Sequence, residues 1–164
     1  MSTAPIERLS VLIVDPSQQM ASLVASMLRT LHIRMVQDCA DARSAGRLLQ
    51  TRAFDVVIVD DQVVPMGGVA FVKGLRSSVD SPARQAAVIM MSSAPDTANI
   101  IAARDAGVTE FLRKPFATDH LRTRLVSIVS RPRDFVESPA YVGPDRRRRE
   151  QGPEGQERRA PKPD

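Results

Sequence analysis

The sequence predicts an α/β fold, a (βα)5 doubly wound parallel sheet over residues 8 to 130, and three observations carry that expectation. Short apolar runs rich in branched residues recur without in-and-out alternation, as strands covered on both faces do. Segments with helical periodicity separate them. The two kinds of segment alternate five times, which is the order of a sheet wound with helices on both faces.

The first run, LSVLIV (9 to 14), is a central strand. After it, Met20, Leu23, Val24, Met27, Leu28 and Leu31 follow one face of a helix that opens at Pro16 or Ser17. This stripe is core packing. A shorter strand is expected near Arg34 to Gln37, then a helix at 42 to 51. DVVIV (55 to 59) and AAVIMM (86 to 91) are the next buried strands, separated by a helix at 69 to 76. A helix at 97 to 105, a strand at Glu110 to Leu112 and a helix at 118 to 129 complete the alternation. Leu12, Val14, Leu28, Val57, Val59 and Ile89 are the expected core.

The chain has 164 residues, 43% hydrophobic and 26% charged, which suits one domain of about 100 to 150 residues plus a tail. Its longest uninterrupted apolar run, Ala86 to Met91, is far short of the roughly 20 residues that span a bilayer. With no secretion-signal pattern at the N-terminus, the expected location is the cytoplasm, without membrane insertion. Cys39 is the single cysteine, so it forms no internal disulfide, and it reads as a small buried hydrophobe. The net charge of +4 conceals a local block, Arg146, Arg147, Arg148 and Arg149, followed by a stretch of mixed sign. Large aliphatic residues vanish after Val142, and prolines and glycines concentrate beyond Ser130. Two regions follow: a folded domain over 1 to 130, and an arginine-rich, Pro/Gly-rich tail over 131 to 164. Such a tail buries too little apolar surface to offset its ordering entropy, so it is expected to be flexible and to order only around a ligand.

Open α/β sheets place their sites at the carboxyl ends of their strands. Those ends carry Asp15, the pair Asp60 and Asp61, Ser92 with Ser93, and Lys114 before Pro115. Carboxylates, a hydroxyl and an ammonium at one edge suit a phosphoryl group: a carboxylate as nucleophile, Lys114 against developing charge, Ser92 on a phosphoryl oxygen. A solvated ion pair is the plainer role for any one of them alone.

In VLIVD, FDVVIVDD, MMSSAPDTANIIAARDAG and FLRKPF, the first 130 residues resemble the receiver domain of bacterial response regulators, closest in layout to stand-alone CheY-like proteins. The resemblance implies a flavodoxin-like receiver fold and a signalling protein rather than an enzyme. It further implies Asp60 as phosphoacceptor, Ser92 as switch hydroxyl, Phe111 as aromatic switch residue and Lys114 as the site lysine. A histidine kinase would be the phosphodonor. The distance from Asp60 to Gly68 fits the family's acceptor-to-glycine spacing, which selects Asp60 over Asp61. Receivers usually have two acids after the first strand, the second ligating Mg²⁺. Here the pair is Asp15-Pro16, so Asp15 and Asp60 make at most a weak Mg²⁺ site. Asp61 replaces the missing ligand only by pointing to the same side as Asp60, which strand alternation disfavours. The loop DQVVPMGG also departs from the family's usual Met-Pro pair and acid.

The tail begins RPRDFVESPAYVGPDRRRRE. Arginine forks bind phosphate or the O6/N7 edge of guanine and stack on purines, while Asp accepts from guanine N–H groups. A ligand with two guanines and two phosphates suits that set. Arg52 to Asp55 shows the same Arg-x-x-Asp spacing as Arg131 to Asp134, so spacing alone does not single out the tail. An arginine-rich extension with a Tyr-x-Gly-Pro-Asp-Arg-Arg segment is similar to that of the Cle group of CheY-like proteins. Arg-x-x-Asp also resembles the inhibitory site of diguanylate cyclases. The resemblance implies cyclic di-GMP as ligand, a flagellar motor switch component as partner, and Arg131, Arg133, Asp134, Tyr141, Asp145 and Arg146 to Arg149 as ligand residues, with Tyr141 stacking. The tail lacks the interleaved aromatics of a single-strand nucleic-acid binder, which argues against nucleic acid. Two readings stand together here: a module that responds to cyclic di-GMP, and a phosphorylation-switched receiver with an incidental tail.

Overall fold

A computed structural model describes residues 5–147. Five parallel strands form one sheet in the order β2-β1-β3-β4-β5. The strands are β1 (Ser10–Val14), β2 (Met35–Cys39), β3 (Val56–Asp60), β4 (Ala87–Ser92) and β5 (Glu110–Arg113). Helices α1 (Gln18–Thr30), α2 (Ala42–Thr51), α3 (Gly68–Ser77), α4 (Thr97–Ala106) and α5 (Thr118–Ser130) alternate with them. Thus the predicted doubly wound fold is the observed one.

The pleat divides the core in two. Leu12, Val14, Val57, Val59, Val88 and Met90 pack against residues of α2, α3 and α4. Val11, Ile13, Val56, Ile58, Ile89 and Met91 face α1 and α5. Leu12, Val14, Leu28, Val57, Val59 and Ile89 are all fully buried. Both faces of β3 being covered explains its unbroken apolar run. Helix starts follow local chemistry: Ser17, Asp41 and Asp96 each accept a backbone N–H at the N-terminus of α1, α2 and α4.

Two details of the sequence reading need correction. Leu23 lies on the expected stripe of α1 but is 49% exposed, because the sheet-facing side narrows to Ala21, Val24 and Leu28. Cys39 is half-buried at the end of the edge strand β2 rather than enclosed. Desolvation, followed by the charges of Asp41 and Asp38, pushes its thiol up to about 11. At pH 8.5 its alkylation by iodoacetamide should run on the order of a hundredfold slower than that of an unperturbed thiol, since only the thiolate reacts. Equal rates would contradict the assigned environment.

The larger correction concerns the tail. Where the composition predicts a flexible segment, residues 135 to 144 form an antiparallel hairpin of β6 (Phe135–Ser138) and β7 (Tyr141–Pro144). It packs on the ends of α3 and α4, at the amino-terminal edge of the sheet, opposite the edge that carries Asp60. Two glycines permit the approach. A Cβ on Gly143 would lie 2.9 Å from the Cα of Gly107, and one on Gly107 would lie 3.0 Å from the carbonyl oxygen of Val142. Tyr141 is buried and donates its hydroxyl to the carbonyl of Pro144 at 2.7 Å. The hairpin borrows the surface it needs from the domain, which a count of its own apolar residues does not register. Arg148 and Arg149 lie outside the described residues.

Candidate functional site

The carboxyl edge of the sheet brings the predicted group together. Asp15 follows β1, Asp60 ends β3, Ser92 ends β4 and Lys114 follows β5. Lys114 Nζ donates to Asp60 Oδ1 at 2.5 Å and to Asp15 Oδ2 at 3.2 Å. Both carboxylates are almost wholly buried, with side-chain exposures of 1% for Asp15 and 7% for Asp60. Burial alone disfavours the Lys114 ammonium. The hydrogen bond and charge of Asp60, with those of Asp15, outweigh it and raise the lysine above its usual range. Lys114 is therefore a permanent cation between two carboxylates.

Backbone groups complete the acid partners. The N–H of Ser17 donates to Asp15 Oδ1 at 2.8 Å, and the N–H of Gln62 to Asp60 Oδ2 at 2.9 Å. Gly68 lets α3 start directly under the acceptor loop, since a Cβ there would lie 3.0 Å from the Asp60 carbonyl oxygen. This close approach gives the Asp60-to-Gly68 spacing its physical meaning.

Asp61 behaves differently from the expectation that strand alternation would direct it away. It sits one residue beyond β3, where alternation no longer governs, and its Oδ2 accepts from Ser92 Oγ at 2.7 Å. Ser93 is exposed and takes no part in these bonds, while Phe111 on β5 is half-buried against the α2–α3–α4 side of the core. Pro16 is exposed and offers no oxygen beyond its carbonyl. Among the described residues no three His, Cys, Asp or Glu side chains are grouped to hold a metal ion, so the residues present fit Mg²⁺ poorly.

The second predicted group gathers at the open end of the hairpin. The N–H of Asp145 donates to the carbonyl of Asp134 at 2.7 Å, which joins the Arg131–Asp134 segment to the Asp145–Arg147 segment. Arg131 and Arg133 line a cavity of about 330 Å³ beneath this junction. Arg147 binds the Asp145 carboxylate, and Arg146 reaches Asp105 at the end of α4 at 2.7 Å. The Arg146 guanidinium also lies 4.3 Å from the centroid of the Tyr141 ring, so the arginine covers the ring expected to stack on a ligand. Burial raises the Tyr141 hydroxyl above its ordinary range, which keeps it a neutral donor.

Sequence reasoning missed four residues that build this region. Arg76, 2% exposed, points inward from α3 and donates to the carbonyls of Gly107, Arg84 and Ala86. The guanidiniums of Arg76 and Arg84 each lie 5.6 Å from the centroid of the Phe135 ring. Glu137 pairs with Arg84 at 3.0 Å. The available signal was an arginine one turn after Val72 on the buried face of α3.

Comparison with known proteins bears on the five-stranded domain. The model of the response regulator receiver domain matches residues 11–126. Chemotaxis protein CheY-3 of Vibrio cholerae is 30% identical over 76% of this chain and 95% of its own. Regulatory protein VirG of Agrobacterium fabrum is 32% identical over 74% of this chain, but the match covers only 47% of VirG. The solved structure of the V. cholerae chemotaxis protein CheY4 is similar at a TM-score of 0.65 and 28% identity, covering 71% of this chain and 95% of that one. Among the described residues no helix is long and apolar enough to cross a membrane.

Proposed function

From the premise that this chain belongs to the response regulator receiver family, we propose that it is a CheY-like signalling protein that binds cyclic di-GMP through its arginine-rich extension. Its target is a protein, and a flagellar motor switch component suits a chain similar to chemotaxis proteins. One observation carries the reading: Arg131, Arg133 and Asp134 meet Asp145, Arg146 and Arg147 at a single end of the hairpin. Two arginine-bearing segments are therefore joined at that end, and guanidiniums answer both phosphates and guanine edges.

The packed hairpin changes how the ligand acts. The ordering of residues 135 to 144 does not await cyclic di-GMP, so binding draws on fewer ordering costs than a wholly unstructured tail would impose. What the ligand exchanges instead is the exposed Arg146–Asp105 pair, worth about 0 to 1 kcal/mol. Moving Arg146 to a phosphate uncovers Tyr141 and alters the end of α4, a surface a protein partner can read.

Calorimetric titration of the full chain with cyclic di-GMP tests the reading. Binding is expected in the unaltered protein and lost in the double variant Arg147→Ala, Arg148→Ala, with the receiver core still folded. Undiminished affinity in that variant would refute the assignment. A second reading, phosphorylation of Asp60 by a histidine kinase, is favoured by the Asp15–Lys114–Asp60 cluster. Asp60→Asn separates the two: it should leave cyclic di-GMP affinity nearly unchanged and abolish any phosphoryl transfer.

A further inference from the structure

The cavity beneath the hairpin contains a carboxylate that neither reading uses. Glu110, the first residue of β5, is buried beside Arg133 and lines that cavity together with Arg131, Phe135 and Pro144. Three other polar lining residues are committed elsewhere. Asp55 accepts from the N–H and hydroxyl of Ser10, Arg76 is spent on carbonyls, and the Thr109 hydroxyl accepts the N–H of Val88. Glu110 is engaged only loosely. Its Oε1 accepts from Ser127 at 3.4 Å and faces Arg133 at 3.8 Å, while its Oε2 faces Arg124 at 3.8 Å. Separations of 3.8 Å are ion pairs without hydrogen bonds.

We infer that Glu110 and Arg133 together form a guanine-reading pocket for one base of the cyclic dinucleotide, which rests on the cyclic di-GMP reading above. Guanine presents O6 and N7 as acceptors on one edge and N1–H and the 2-amino group as donors on the adjoining edge. An arginine fork answers the first pair and a carboxylate answers the second. Arg133 Nη2 lies 3.8 Å from Glu110 Oε1, so a fork and a carboxylate stand side by side in the cavity lining. Ile128 and Pro144 offer apolar walls for the base, and about 330 Å³ exceeds the volume of a purine. Adenine keeps the N7 acceptor but reverses polarity at positions 6 and 1: its amino group would face the arginine and its unprotonated N1 the carboxylate. The pocket therefore selects guanine, while the arginines at 146 and 147 meet phosphate.

The test is calorimetry on the full chain with cyclic di-GMP, cyclic di-IMP, whose bases lack only the 2-amino group, and cyclic di-AMP. The unaltered protein should bind cyclic di-GMP about tenfold more tightly than cyclic di-IMP, and cyclic di-AMP more weakly still. Glu110→Gln, which keeps the side-chain shape, should weaken cyclic di-GMP about tenfold, erase the preference over cyclic di-IMP, and leave the salt dependence unchanged. Arg133→Lys keeps the charge but loses the fork, and should weaken both of those ligands alike. If Glu110→Gln retains full affinity and preference while Arg147→Ala, Arg148→Ala abolishes binding, this inference falls and the broader reading survives. No binding of cyclic di-GMP by the unaltered protein overturns both. Should Glu110→Gln fail to fold, equal affinity of the unaltered protein for cyclic di-GMP and cyclic di-IMP overturns the inference without it.

Discussion

Replacing Arg76 with methionine should lower stability by about 3 to 5 kcal/mol, measured by urea unfolding of the otherwise unchanged chain. Methionine fills much of the same space, so the loss is one of polar satisfaction rather than volume. Nη1 of Arg76 donates to the Arg84 carbonyl at 2.7 Å and to the Ala86 carbonyl at 2.8 Å, and Nε and Nη2 share the Gly107 carbonyl at 3.1 and 2.8 Å. Burial pushes its guanidinium down to about 10, still far above neutral pH, so the group is a buried cation solvated by three carbonyl oxygens. Exchanging a buried ion pair for apolar residues is often neutral, because both partners leave together. Here the carbonyls stay, and each one stranded in the interior costs about 1 to 3 kcal/mol. The same arginine faces Phe135, so hydrogen exchange at the Gly143 and Asp145 amides should quicken with the variant. A loss below 1 kcal/mol with unchanged exchange would show that the arginine is not what joins α3, the end of α4 and the hairpin.

Arg76 also marks where the sequence was hard to read. The three central strands, β1, β3 and β4, declare themselves through apolar runs, and the acids, hydroxyl and lysine at the strand ends fall where a parallel sheet directs them. The parts that escaped depend on contacts between distant segments. Nothing local in FVESPAYVGP forecasts a docked hairpin, because its stability comes from Arg76, Arg84 and the Gly107–Gly143 approach. Leu23 follows the helical period yet faces outward, since periodicity fixes a stripe but not the width of the surface it meets. Asp61 was placed by an alternation rule one residue beyond the strand that obeys it. Glu110 reads as an ordinary strand residue until the hairpin encloses it.

Asp60 should accept phosphate slowly from acetyl phosphate at millimolar Mg²⁺, and Pro16→Asp should speed the reaction about tenfold or more. The reaction needs positive charge against the phosphoryl oxygens as the Asp60 carboxylate attacks phosphorus and acetate departs. In this chain Lys114 supplies it, but its ammonium is already shared between Asp60 and Asp15. A divalent cation would have to be held by few oxygens, since the residue beside Asp15 is a proline. Asp at position 16 adds a carboxylate on the exposed turn just before the Ser17 cap of α1. The turn tolerates the exchange: losing the proline's rigidity costs about 0.4 to 1 kcal/mol, and a negative charge beside a helix N-terminus recovers part of it. The rate gain should therefore appear without a loss of fold, and it should vanish when Mg²⁺ is chelated. Asp60→Asn in the same background should remove labelling altogether, which separates true acceptor chemistry from modification elsewhere. Equal labelling rates for the unaltered protein and Pro16→Asp would mean that Asp15, Asp60 and Lys114 suffice, and that the missing acid does not limit this site.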